Sequence, residues 1–319
     1  MSKSNSINNV EVDICLATYN GARWIAPFLD SLVAQTHTKW RLIVSDDAST
    51  DQTLDVIGSY FSGQNNKLVV VRREQTGLGV VRNFQDALEA SRSDYVLLAD
   101  QDDVWQPEKI STLLLLMQKT EQENKKPSLV FSDLEVVDEQ LKTLNKSWWS
   151  YTSVKPKWVN SFKVMLVQNI VPGCAMMINR NLLKLAMPFP NGVAMHDWWL
   201  LLTALSLGGI NYTETPLVLY RRHSEAQTYS GDRNLLAVFR RQILAGYEIR
   251  KHHETVFSQA LVFRNLLEKY SEAKEGDREV IGNYINAMGF NRLNRRFKLI
   301  RMGVHLITAP RTFKFYLWI

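Results

Sequence analysis

Short apolar runs alternate with amphipathic stretches through the first half of the chain, the pattern of βαβ units and a mostly parallel sheet. Runs rich in β-branched and aromatic residues predict strands at Val12–Thr18, Trp40–Ser45, Lys67–Val71 and Tyr95–Ala99. Apolar residues three and four apart predict helices near Trp24–Gln35, Thr53–Phe61 and Val80–Ser91. A fourth helix is predicted at Pro107–Gln122, where proline suits a first turn. Ser128–Val137 and Gly173–Asn179 predict further strands, Asp197–Leu207 a helix, and Ile210–Tyr212 and Leu217–Tyr220 two short strands. Beyond these the pattern is helical. Leu141 to Lys157 has no clean period and reads as a long loop with exposed aromatics, Trp148 and Trp149 among them.

Polar residues gather where the strands end. Thr18-Tyr19-Asn20-Gly21 closes the first strand, Asp46-Asp47-Ala48-Ser49-Thr50-Asp51 the second, and Asp100-Gln101-Asp102-Asp103 the fourth. In open α/β sheets, ligands sit in the crevice beyond the carboxyl ends of the strands. Two carboxylates 4 Å apart repel by roughly 1–4 kcal/mol over the plausible range of dielectric, so gathering three requires a compensating cation or solvent. A divalent metal carrying phosphate oxygens meets that need. Oxygen coordination suits Mg²⁺ or Mn²⁺, whereas zinc would want histidine or cysteine neighbours that the segment lacks. The competing reading is a solvated turn before a helix whose N-terminus favours negative charge.

Other segments carry weaker signals. Asp46 and Asp47 suit a turn and helix cap, but two successive carboxylates exceed what capping needs, and one could accept hydrogen bonds from a base or a ribose. Gly77-Leu78-Gly79 resembles a phosphate loop only in part, and Arg82 behind it is either a diphosphate contact or a surface arginine. His196-Asp197-Trp198-Trp199 reads either as a capped helix burying two tryptophans or as a general base beside an aromatic platform for a sugar. His223 is a surface histidine or a metal ligand.

Composition narrows the function further. The 319 residues include 45% hydrophobic and 22% charged ones, and no apolar run approaches the ~18–20 residues of a spanning helix. Met1–Ser6 has no apolar run behind its lysine, so a cytoplasmic location is expected. Cys15 and Cys174, without metal-ligand spacing, fit a reducing compartment. The net charge of +6 is concentrated at one end: seven cations follow Glu279, the last acid, and without them 31 cations face 32 acids. A near-neutral body with no basic stripe beside the acidic cluster disfavours nucleic acid as partner, and with it a nuclease or phosphotransferase. In the basic end, Leu293, Phe297, Ile300, Val304 and Ile307 recur at helical spacing among Arg292, Arg295, Arg296 and Arg301, up to Pro310. This predicts a cationic amphipathic helix, suited to an anionic membrane surface or to packing on the body.

These segments, in this order, resemble the inverting glycosyltransferases of family 2 with the GT-A fold, most closely the bacterial rhamnosyltransferase type of surface polysaccharide synthesis. The likeness covers roughly the first 225 residues. It implies a catalytic domain at 1–225, with nucleotide-binding and acceptor-binding parts dividing near 140, and a helical region at 226–319. By resemblance, Thr18, Tyr19 and Asp47 contact the nucleotide, Asp100 lies toward the ribose or the metal's water shell, and Arg82 is a looser diphosphate contact. Asp102 is the direct metal ligand, helped by Asp100 and His223. Asp197 is the catalytic base, and Trp198, Trp199, Gly173 and Cys174 lie on the acceptor side. The implied cofactor is Mn²⁺ or Mg²⁺, the donor dTDP-L-rhamnose with UDP-sugars as the alternative, and the acceptor a glycan or lipid-linked glycan at the inner membrane's cytoplasmic face. The Gln-x-x-Arg-Trp motif of processive members is missing, so one sugar per encounter is expected. A non-catalytic binding module on the same fold is the rival. A sugar nucleotidyltransferase would want a glycine-arginine-rich first loop.

Overall fold

The computed structural model describes residues 9–64, 66–72, 77–121, 126–223 and 235–304. The predicted alternation is present: β1 (Val12–Thr18), α1 (Ile25–Val33), β2 (Trp40–Asp46), α2 (Thr53–Tyr60), β3 (Leu68–Arg72), α3 (Gly79–Ala90) and β4 (Tyr95–Asp100). There follow β5 (Val104–Trp105), α4 (Lys109–Glu121), β6 (Ser128–Val137), β7 (Thr143–Asn145), α5 (Trp148–Thr152) and α6 (Phe162–Met165). Next come β8 (Met176–Asn179), α7 (Arg180–Ala186), α8 (His196–Leu207) and β9 (Gly209–Arg221). Three helices complete the described chain: α9 (Leu235–Lys269), α10 (Glu275–Met288) and α11 (Arg292–Met302).

One nine-stranded sheet runs in the order β3-β2-β1-β4-β8-β6-β9-β5, with β7 on β6. Its first four strands are parallel, and β8 is antiparallel to both β4 and β6. Since β1 is central and covered on both faces, it is apolar almost throughout. Asp13, inside it, is held by Arg41 at 2.8 Å and by the N–H groups of Arg92 and Ser93 at 2.6 and 2.7 Å, which answers the cost of its burial. Register sets the crevice: Thr18 pairs with Asp46 on one side, and Ala17 with Asp100 on the other, so three motif-bearing strand ends share one row. On the far side, β5 is antiparallel to β9, with Val104 opposite Leu219, and this lays Arg221–His223 beside the acidic loop.

Several elements differ from expectation for local reasons. The two short strands after Gly208 are one strand, whose pairing with β6 shifts register around Asp133. Gly173–Ala175 forms a 3₁₀ turn before β8. The loop expected after Leu141 contains α5, capped by the Ser147 hydroxyl, which accepts the Ser150 N–H. Its Trp149 is buried edge-on between Phe131 and Tyr212, so it is a packing residue rather than an exposed one. The C-terminal helices join the same core through Val256, Ala260, Phe263 and Leu267 of α9.

Candidate active site

A cleft of about 520 Å³ opens over the ends of β1 and β4, between the acidic loop and the start of α8. Thr18, Tyr19, Asp47, Asp100, Asp102, Gly173, Asp197 and His223 all line it, although they are spread over two hundred residues of sequence. A second, more open depression of about 600 Å³, bordered by Asp133, Glu135, Lys146 and Glu214, contains none of the motifs.

At the end of β2 the two aspartates divide their work. Asp46 is structural: its carboxylate accepts the hydroxyls of Thr18 and Ser49, each at 2.7 Å, and the Ser49 N–H at 2.8 Å. Asp47 faces the cleft and accepts the Gly79 N–H at 3.2 Å. Asn83 donates to the Thr18 carbonyl at 3.0 Å. Gln101 clamps the Tyr19 main chain from both sides, accepting its N–H at 3.1 Å and donating to its carbonyl at 3.0 Å. That clamp requires glycine at 21, because a Cβ there would lie 2.1 Å from the Gln101 Oε1. Tyr19 is left with its ring largely exposed at the rim.

The three acids of the fourth strand end also diverge. His223 Nε2 lies 2.7 Å from Asp102 Oδ2, and its ring rests on Trp24 with centroids 4.5 Å apart. Asp103 is buried, and one oxygen accepts the Arg221 N–H at 3.1 Å, tying the loop to β9. Asp100 is pushed up to about 7 by burial, and then by the charges of Asp102 and Asp197. Although the acidic segment carries no cysteine of its own, Cys174 comes into the cluster from the turn before β8, its ligand atom and those of Asp100 and Asp103 lying within 4.8 Å of one another. Burial pushes that thiol well up, so it stands against the carboxylates as a protonated group.

These donors fit a hard divalent cation. Burial, and then the charges of Asp102 and Asp197, raise Asp100, so a cation beside it would relieve that cost, and His223 Nε2 and Asp102 Oδ2 stand together in the cleft lining as a nitrogen and an oxygen donor. Arg221, also buried in the cleft wall, donates to the Glu139 carbonyl at 3.2 Å, and its Nε and Nη2 have no hydrogen-bond partner among the described residues. Sequence reading passed over Arg221, Trp24, Asn83 and Gln101. The polar ones each stand within or just beyond a motif, which is the only signal they carried.

Across the cleft, Asp197 begins α8. Its Oδ2 accepts the Gly173 N–H at 3.1 Å and its Oδ1 the Trp198 N–H at 2.6 Å. Burial outweighs these donors and raises its carboxyl to about 6. His196 beside it stacks on Phe84 with centroids 3.8 Å apart, and burial pushes it down to about 3, so it is neutral.

Four expected contacts are corrected. Trp198 and Trp199 are core side chains, their indole N–H groups donating to the Met165 and Ala186 carbonyls at 2.6 and 2.9 Å. Trp199 meets Phe263 edge-on, so neither ring is free to hold a sugar. Cys174 lies behind the cleft wall with no exposure, whereas Gly173 lines it. Arg82 points outward, its side chain 53% exposed and 3.3 Å from Asp86 one turn on, and it does not border the cleft.

A parallel four-strand α/β core with an antiparallel extension, and a carboxylate-lined cleft over the strand ends, is the GT-A class of fold. The chain belongs to the family "Glycosyl transferase family 2", whose pattern it matches over residues 13–184. Among curated relatives, it is 34% identical over 106 residues to the putative teichuronic acid biosynthesis glycosyltransferase TuaG of Bacillus subtilis, covering 33% of this chain and 41% of that one. It is 24% identical over 292 residues to the dTDP-rhamnosyl transferase RfbG of Shigella flexneri, covering 88% of this chain and 94% of that one. Among solved structures, Staphylococcus aureus TarS 1–349 in complex with UDP-GlcNAc superposes with a TM-score of 0.55 at 16% identity, over 96% of this chain and 90% of that one. The mannosyltransferase PcManGT of Pyrobaculum calidifontis, in complex with GDP-Man and Mn²⁺, gives 0.53 at 18% identity, over 93% and 74%. The chain thus spans about two fifths of TuaG and nearly all of RfbG.

Proposed function

We propose that the chain is a metal-dependent, inverting, non-processive glycosyltransferase that moves one sugar from a nucleotide-sugar to a hydroxyl of a glycan or lipid-linked glycan in bacterial polysaccharide synthesis. One observation carries this reading: Asp47, the Asp102–His223 pair and Asp197 line the same cleft from opposite walls. Asp47 and Tyr19 would hold the nucleoside. Asp102 and His223, with Asp100 beside them, would hold Mn²⁺ or Mg²⁺, which when bound supplies Lewis-acid stabilisation of the leaving diphosphate. Arg221 brings a second cation to the same wall. Asp197 takes the proton from the acceptor hydroxyl as that oxygen attacks the anomeric carbon from the face opposite the diphosphate, inverting it. Burial keeps Asp197 basic enough for that transfer. Similarity to RfbG along most of both chains supports dTDP-L-rhamnose as donor, with UDP-sugars second.

The test is a thermal-shift panel of dTDP-, UDP- and GDP-sugars with and without Mn²⁺, since a ligand at a hundred times its Kd stabilises by about 2.7 kcal/mol. A shift with dTDP-rhamnose that needs Mn²⁺ is expected. Equal shifts without metal would count against the acidic site, and a larger shift with another sugar would reassign the donor.

A lipid-linked acceptor gives the basic end a role. No described helix is long and apolar enough to cross a membrane. On α11, however, Leu293, Phe297 and Ile300 are 76%, 67% and 55% exposed, while Leu299 is buried against the body. Arginines and Lys298 flank these side chains, and no acid follows Glu279. An exposed apolar face rimmed by cations fits an anionic lipid surface, where each cation contributes about 1 kcal/mol. The full chain should co-sediment with vesicles containing anionic lipid and not with zwitterionic ones, and Leu293→Glu with Phe297→Glu should abolish this. Unchanged binding by that variant would remove α11 from the interface. Ile307, Pro310, Arg311 and Lys314 lie outside the described residues.

A further inference from the structure

Lys109 is a lysine with no solvent exposure, in the first turn of α4 beneath the acidic loop. Its Nζ donates to the Cys174 carbonyl at 2.6 Å and lies 3.4 Å from the centre of the Trp105 ring. Burial pulls the ammonium down to about 7, while Asp103 and Asp100 favour its charged form. Burying an ammonium is costly, and an apolar side chain of similar length often fills such a place without loss of stability. Packing therefore does not account for a lysine here; its charge offsets the nearby Asp103 and Asp100, and its directed hydrogen bond to the Cys174 carbonyl is the further feature to explain.

That bond ends on the 3₁₀ turn that carries the opposite wall. The residue before Cys174 is Gly173, whose N–H donates to Asp197 Oδ2 at 3.1 Å. The turn is tight against α8: a Cβ on Gly173 would lie 3.0 Å from His196 Nε2 and 3.5 Å from the Asp197 Cβ. On its other side the Cys174 thiol faces Asp100 and Asp103. Two hydrogen bonds in series thus run from α4, under the metal-binding carboxylates, through Cys174 and Gly173 to the carboxylate on α8.

We propose that Lys109 is a positioning residue: its ammonium fixes the Gly173–Cys174 turn and so sets where Asp197 stands relative to the acidic loop. This rests on the reading of Asp197 as the base. Displacing a catalytic group by 1 Å can cost about 10²-fold in rate, so the strut acts on turnover more than on donor binding.

The test uses the full chain and a reaction that needs no acceptor, the slow hydrolysis of dTDP-rhamnose or a UDP-hexose with Mn²⁺, in four forms: parent, Lys109→Met, Asp197→Asn and the double variant. Lys109→Met should fold, bind dTDP or UDP with Mn²⁺ within about twofold of the parent by calorimetry, and hydrolyse donor about 10–100-fold more slowly. In the Asp197→Asn background the same change should alter the residual rate by no more than about twofold, because the group it positions is gone. Should Lys109→Met not fold, Lys109→Gln, which removes the ammonium and keeps a polar end group, carries the same comparison. Parental hydrolysis by the folded variant, while Asp197→Asn is impaired, overturns the strut alone. Equal losses in both backgrounds, or a matching loss of nucleotide affinity, make Lys109 a general structural residue and also overturn it. Parental hydrolysis by Asp197→Asn overturns the base assignment and the strut with it.

Discussion

Asp197→Asn should lower sugar transfer by about 10²–10⁴-fold while leaving the affinity for nucleoside diphosphate within about twofold, since the loss is of proton transfer and not of donor contacts. Asparagine keeps the size of the side chain and one acceptor oxygen for the Gly173 N–H, so the α8 start should hold its shape. The pH profile gives an independent reading. Burial raises Asp197 to about 6 against the opposing hydrogen bonds of Trp198, Gly173 and Asn169, and its charge in turn helps to raise Asp100. His196, adjacent in sequence, is neutral throughout the working range. A base must be ionised, so kcat should rise about tenfold per pH unit below about 6 and level off above it. Stopped assays from pH 5 to pH 8, on a form shown to be folded throughout, check this; a limb that falls with rising pH would make Asp197 an acid.

The first 100 residues were legible because β1, β2 and β4 are buried on both faces and the helices between them carry an apolar stripe, so period and burial agree. The motif residues were legible because the parallel register places every strand end on one rim. Tryptophans misled for a physical reason: Trp149, Trp198 and Trp199 stand beside polar residues whose polarity serves caps and main-chain bonds, and the indole N–H groups of Trp198 and Trp199 find carbonyls inside the protein. Sequence neighbours could not reveal this, because the partners Met165, Ala186 and Phe263 come from other elements. Lys109 escaped notice likewise: it reads as one more helix-surface lysine until β8 and its preceding turn cover it. The separation of Asp102 from Asp103, one paired with His223 and the other buried on β9, depends on β5 pairing with β9, a contact more than a hundred residues apart.

Asp102→Ala should abolish the part of the nucleotide-induced thermal shift that requires Mn²⁺ and lower transfer by about 10³-fold, equivalent to about 4 kcal/mol of transition-state stabilisation. Removing this carboxylate also leaves the buried His223 ring without the partner it meets at 2.7 Å, so both groups of the pair are disturbed together. His223→Ala leaves Asp102 in place and should cost less, about 10–100-fold, with the Mn²⁺ requirement shifted to higher concentration rather than abolished. The order of the two losses is the informative outcome, because Asp100, raised to about 7 by burial and by its acidic neighbours, is the other carboxylate of the acidic loop that lines the cleft. If Asp102→Ala keeps a full Mn²⁺-dependent shift while Asp100→Ala loses it, the cation sits against Asp100 and the buried Asp103, and Asp102 with His223 instead shapes the wall that Trp24 and Arg221 complete.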